Sequence, residues 1–130
     1  MILAIVGSSQ LPPECIETVQ WLVARVIMAD PQFGPGLEIV SGGATGVDSV
    51  AESEAYCFAS YGVTFRKFKP AHNSWNGGNG LPGFKARNIQ IAQYCDELVC
   101  IRHLDSATYG SGWTADYAEK LGTPVRRLYV

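Results

Sequence analysis

The residues that offer chemistry cluster in three small-residue turns. The clearest is Ser41-Gly42-Gly43-Ala44-Thr45-Gly46-Val47-Asp48, which holds three glycines within five positions. It follows an apolar run, Leu37–Val40, and precedes a segment with helical spacing at Val47, Val50, Ala51, Ala55, Phe58 and Ala59. A bare backbone at a helix N-terminus turns N–H groups toward an anion, most often a phosphate. Gly110-Ser111-Gly112 opens the last helix in the same way, and Gly7-Ser8-Ser9-Gln10 follows the first apolar run. The two glycine-opened helix N-termini, Gly42–Gly46 and Gly110–Gly112, can donate N–H groups to a phosphate or a sugar hydroxyl, and Ser8 and Ser9 would line the floor of the pocket. The plainer reading is that the glycines only make tight strand-to-helix turns. No Gly-Lys-Ser/Thr follows the first string, and no G-x-G-x-x-G follows the first strand, so the two commonest nucleotide signatures are missing.

Side chains near these turns suggest the rest of a pocket. Asp48 falls in the first turn of its helix, where it either complements the dipole and caps, or holds the pocket loops together or binds ribose. Arg87 and Asn88 stand near the start of a later helix. An arginine there could reach the crevice and pair with phosphate through its fork of donors. Trp75 lies in a glycine-rich loop and either stacks on a base, closes a lid or anchors the loop; Trp113 has similar alternatives. Trp21 departs from its helix stripe and faces solvent or a partner subunit. The carboxylates that could serve catalysis at a sugar carbon are Asp48 and Asp105, while Asp116 points away from the crevice. His72 and His103 are isolated, and the four cysteines lack C-x-x-C spacing, so no metal site is expected.

The elements that must position these groups alternate. Ile2–Val6 and Leu98–Ile101 are continuous apolar runs, as strands buried on both faces would be. Val63–Phe68 and Pro124–Val130 mix polar and apolar residues, as edge strands do. A helix from Glu14 to Ala29 carries Ile16, Val19, Leu22, Val23, Val26 and Ile27 as its stripe. Helices at Phe84–Tyr94 (Phe84, Ile89 and Ala92 inward) and after Gly110 (Thr114, Tyr117, Ala118 and Leu121 inward) complete the set. Lys69–Gly83 is a loop long enough to be a functional lid or disordered. The expected fold is α/β: a Rossmann-like, doubly wound parallel sheet of about five strands, order 3-2-1-4-5, with helices on both faces. The topological switch then lies between the first and fourth strands, and all three turns converge on it.

The 130 residues suit one domain over 1–130; 47% are hydrophobic and 17% charged, which excludes a disordered chain. A net charge of −2 leaves no general footprint for nucleic acid, and leaves a local basic groove open. No apolar run reaches membrane-helix length, and the start lacks a signal peptide's basic region. The cysteines read as reduced, mostly buried thiols of a cytoplasmic protein.

Taken together, Ala4-Ile5-Val6-Gly7-Ser8-Ser9, the string Val40–Asp48, Arg87-Asn88, Asp96 before a strand, Gly110-Ser111 and Gly122-Thr123-Pro124-Val125 resemble the SLOG superfamily. That group includes small YspA/YpsA-like proteins, the LOG phosphoribohydrolases and the DNA-processing proteins of natural competence. The resemblance implies a Rossmann-like fold that binds a nucleotide or nucleotide derivative, with homo-oligomers common to it. LOG enzymes carry Pro-Gly-Gly-x-Gly-Thr followed by glutamates. Here Tyr109-Gly110-Ser111-Gly112-Trp113-Thr114-Ala115-Asp116 lacks the proline, the Gly-Thr pair and the glutamate pair. The expectation is therefore a binding module for a nucleotide or nucleotide-sugar, with no resident cofactor, and neither nucleic acid nor membrane as partner. The competing expectations are cleavage of the N-glycosidic bond of a nucleoside monophosphate, and single-stranded DNA binding.

Overall fold

A computed structural model describes residues 1–105 and 110–130. The end of the polar loop expected before Gly110 lies outside them. Five parallel strands, β1 (Ile2–Gly7), β2 (Glu38–Ser41), β3 (Thr64–Lys67), β4 (Glu97–Arg102) and β5 (Val125–Tyr129), form one sheet in the order β3-β2-β1-β4-β5. Helices α1 (Pro13–Ala29), α2 (Val47–Cys57), α3 (Phe84–Tyr94) and α4 (Gly110–Lys120) make the crossovers. The two mixed runs are the edges, and the apolar β1 and β4 are central neighbours.

The apolar run of β1 serves both faces because successive strand side chains point opposite ways. Leu3 and Ile5 join Ile39, Val99 and Ile101 beneath α1 and α2, packed on Val19, Val23, Ile27, Val47 and Ala51. Ala4 and Val6 join Val40, Leu98 and Cys100 beneath α3 and α4, packed on Ile91, Ala92, Ala115 and Ala118. Each fully buried Leu or Ile contributes about 1.5–3 kcal/mol, so the two cores hold the layers without any cross-link. All four cysteines are free; Cys95 and Cys100 are buried, Cys15 is half-buried and Cys57 is exposed, a lower share than the sequence suggests.

Three helix faces differ from expectation. In α3 the buried positions are Arg87, Asn88, Ile91 and Ala92, while Phe84 and Ile89 are half-buried. Two polar residues can sit inward there because each finds partners, described below. In α4, Leu121 is exposed and Tyr117 half-buried, because Gly122 (φ +86) ends the helix with its N–H on the carbonyl of Glu119. Ile16 at the start of α1 is exposed, as is Trp21, which carries the Arg25 guanidinium 5.0 Å over its ring. Helix α2 stops at Cys57, and a 3₁₀ turn at Ala59–Tyr61 follows before Gly62.

The long Lys69–Gly83 segment is closed on itself. His72 N–H donates to Pro82 O at 2.9 Å, and Gly78 and Leu81 exchange backbone bonds. The first amides of α3 close its neck: Phe84 N–H donates to Ser74 O (2.8 Å) and Lys85 N–H to Trp75 O (3.0 Å). Orphan helix donors are thus satisfied by the loop itself. No described helix is long and apolar enough to cross a membrane.

Candidate functional site

A cavity of about 280 Å³ opens at the carboxyl end of β1, at the switch point of the sheet. Val6, Gly7 and Ser9 form one side and Ala44 and Asp48 another. Phe84, Arg87 and Asn88 come from the first turn of α3, and Gly110, Ser111 and Thr114 from α4. Trp75 closes the ring from the long loop. The sequence turns therefore meet where the strand order placed them. Val6, Phe84 and Thr114 were not expected; for the last two the only signal was their assignment to inward helix faces.

Asp48 is 6% exposed, and it acts first on its own loop. Its Oδ2 accepts the N–H of Gly42 (3.2 Å) and of Ala44 (3.4 Å). The anion held by these two glycine-turn amides is thus the protein's own carboxylate. Burial pushes its pKa from 3.8 up to about 6, against the opposing pull of Arg87, the Ala44 and Gly42 amides and the Ser41 hydroxyl. Arg87, 8% exposed, crosses between elements: Nε donates to Asn88 Oδ1 (2.7 Å), while Nη1 donates to Gly42 O and, at 3.4 Å, to Phe68 O. Gly42 lies wedged in this pair. A Cβ there would come within 2.6 Å of Arg87 Nη1 and 2.8 Å of Asp48 Oδ2.

Other expected site residues build the frame and do not line the cavity. Ser41 Oγ donates to Ile5 O at 2.6 Å. The fully buried Ser8 accepts the N–H of His103 at its Oγ (2.9 Å) and that of Val47 at its carbonyl (3.0 Å). Thr45 Oγ1 donates to Ser9 O, so the first and second turns are tied together. Thr45 and Gly46 line a separate groove between α1 and α2. Gly43 (φ +74) lies under the methylenes of Lys67, whose Nζ pairs with Glu52 at 2.8 Å. Gly112 is buried inside α4.

The two candidate catalytic carboxylates do not share the cavity. Asp105 is exposed beyond β4, with its N–H on His103 Nδ1 (3.2 Å), and lines a polar depression with Glu14. Asp116 points away, as expected, to Arg127 Nη2 at 2.7 Å. Among the described residues no three His, Cys, Asp or Glu side chains converge as metal ligands.

Gly110 offers a clean probe of the cavity. Among the described residues a Cβ there would touch only Asn88 Nδ2 and Trp75 Cζ3, each at 3.9 Å. Gly110→Ala is expected to change folding stability by less than about 0.5 kcal/mol in urea denaturation. The added methyl should weaken occupancy of the cavity about tenfold.

Fold and site together define a Rossmann-like α/β domain with a ligand-sized cavity at its switch point. No family model matches the chain, and no curated protein matches it in sequence. Solved structures do share the fold. DNA processing protein A from Helicobacter pylori, studied for its single-stranded DNA binding mode, is similar with a TM-score of 0.65 and 20% identity over 98% of this chain. This chain spans 64% of that protein's chain. The structural-genomics target TM1055 is similar with a TM-score of 0.64 and 20% identity, over 95% of this chain and 71% of its own.

Proposed function

We propose that the switch-point cavity binds a nucleotide or a nucleotide derivative, and that the chain is a SLOG-type sensing module. The carrying observation is the cavity's lining. Three residues with charged or amide side chains, Asp48, Arg87 and Asn88, are each more than nine-tenths buried, and they share a largely apolar hollow with Trp75 and Phe84. Buried ionisable groups in a cleft are the mark of a working site more than of a folding core. The fold likeness to DNA processing protein A supports the same superfamily, since the DNA-processing proteins are one of the branches the sequence resembles.

The surface charge supports a small ligand over a strand of DNA. The net charge is −2, Arg66, Lys67, Arg126 and Arg127 each pair with a carboxylate and Arg87 is turned inward, which among the described residues leaves Lys69 and Lys85 as the cations near the cavity outside any ion pair. Strand binding would draw on unpaired cations along a groove. A thermal-shift panel of mononucleotides, dinucleotides, ADP-ribose and a single-stranded oligonucleotide tests the proposal. Saturating small ligand is expected to raise Tm by roughly 5 °C or more. A flat response to every small molecule removes the reading, and a salt-sensitive shift with the oligonucleotide alone replaces it with DNA binding.

One observation favours catalysis as a second reading. A carboxyl with a pKa of about 6 inside the cavity is tuned for proton transfer near neutral pH. Under that reading Asp48 assists release of a base from a nucleoside monophosphate. Chromatography for free base after incubation separates the two: binding without turnover leaves the sensor.

A further inference from the structure

We propose that Trp75 determines specificity, as a fixed stacking wall for a planar heteroaromatic ring of the ligand, held in place by Trp113. This rests on the nucleotide reading and narrows it to ligands whose base is a main source of affinity. Three observations carry it. First, Trp75 lines the cavity, and its benzo edge reaches toward Gly110 on the far helix. Second, its backbone is locked, because Trp75 O accepts the first-turn N–H of Lys85 and Ser74 O that of Phe84. A lid would need those bonds to break. Third, its ring is braced: Trp75 meets Trp113 edge to face, with centroids 5.1 Å apart and planes at 87°. Trp113 in turn stacks on Tyr117 at 5.3 Å and 11°.

The brace itself covers at most one face of Trp75. Trp113 already has one face against Tyr117. In an edge-to-face pair, either the edge of Trp75 meets the other face of Trp113 or the edge of Trp113 meets one face of Trp75. In both cases Trp113 leaves at least one face of Trp75 uncovered. An aromatic face at a cavity wall attracts another π-face through dispersion and offset stacking, with little loss of side-chain entropy when the ring is already immobile. Trp113 touches no ligand in this scheme and is a positioning residue.

The experiment compares AMP, GMP and CMP with ribose 5-phosphate, which keeps the sugar and phosphate and lacks the base, by calorimetry on the full chain. The native protein should prefer at least one nucleotide by about tenfold or more, the usual worth of one stacked base. Trp75→Ala should erase that preference, Trp75→Phe should keep most of it, and Trp113→Leu should reduce it. A variant that merely loosens the fold weakens all four probes together and leaves the ratio unchanged, and Trp21→Phe serves as the matched remote control. Equal affinity for ribose 5-phosphate and all three nucleotides in the native protein, or a preference that survives Trp75→Ala, overturns the inference while the nucleotide reading stands. Failure of all four probes to bind overturns the inference, and the nucleotide reading falls with it only where dinucleotides and ADP-ribose also leave Tm unchanged.

Discussion

Gly46→Ala is expected to cost about 4 kcal/mol or more of folding stability, a large fraction of what a domain of this size possesses. Gly46 has φ +78 and ψ −130, a conformation open in practice only to glycine. A Cβ there would fall 2.2 Å from Ser8 O and 2.9 Å from the carbonyl carbon and oxygen of Ser9. Those are backbone atoms, and Ser8 O is held by the Val47 N–H at 3.0 Å, so the neighbour cannot move aside without undoing the start of α2. Gly7→Ala should behave alike, with its Cβ 2.0 Å from Ile101 O and 2.7 Å from Val47. The contrast is Gly43, whose Cβ would meet the flexible methylenes of Lys67; there the cost is mainly that of positive φ. Urea denaturation of the three variants beside the native protein checks the order. If Gly46→Ala unfolds within about 1 kcal/mol of the native midpoint energy, the first two turns are not the rigid junction described above.

Those turns show how much a sequence can say about its own fold. The alternation of Leu3 and Ile5 against Ala4 and Val6 was legible as a strand buried on both faces, because burial on two sides removes the need for polar positions. The mixed runs of β3 and β5 were legible as edges for the opposite reason. Strand order followed, and strand order placed the cavity. The direction of the polar side chains inside it was hidden. Nothing local to Asp48 says that its Oδ2 folds back on the amides of its own turn, and Arg87 finds Gly42 O across 45 residues of chain. Such partners exist only once the sheet has formed. The Lys69–Gly83 segment misled for a related reason. Its length read as a lid or a disordered stretch, yet main-chain bonds at the neck of α3 close it, and length alone is blind to them. On α3 the stripe was legible only at Ala92: the buried face carries Arg87, Asn88 and Ile91, and Phe84 and Ile89 are half-buried, because the partners that let Arg87 turn inward lie far along the chain.

The titration of Asp48 should dominate the acid side of the stability curve. Its carboxyl pKa is 3.8 in an ordinary setting and about 6 in the folded chain, raised by burial. The folded state therefore binds this proton more tightly than the unfolded state does. The stabilisation this gives is fully present below pH 3.8 and is lost as pH rises through 6. The difference in proton affinity between the two states is worth roughly 3 kcal/mol between the limits well below and well above these two values. Asp48→Asn removes the titration and keeps the geometry, because both loop amides converge on one oxygen that an asparagine carbonyl can replace. The substitution also strips Arg87 of its counter-charge, but the guanidinium stays protonated throughout, so that cost does not vary with pH. Other carboxylates titrate in both proteins and cancel in the difference. Urea denaturation from about pH 4 to about pH 7 should then show the native protein losing about 2 kcal/mol relative to Asp48→Asn as pH rises. Parallel curves would mean that the carboxylate ionises at its ordinary pKa, and that the loop amides and Arg87 compensate its burial in full.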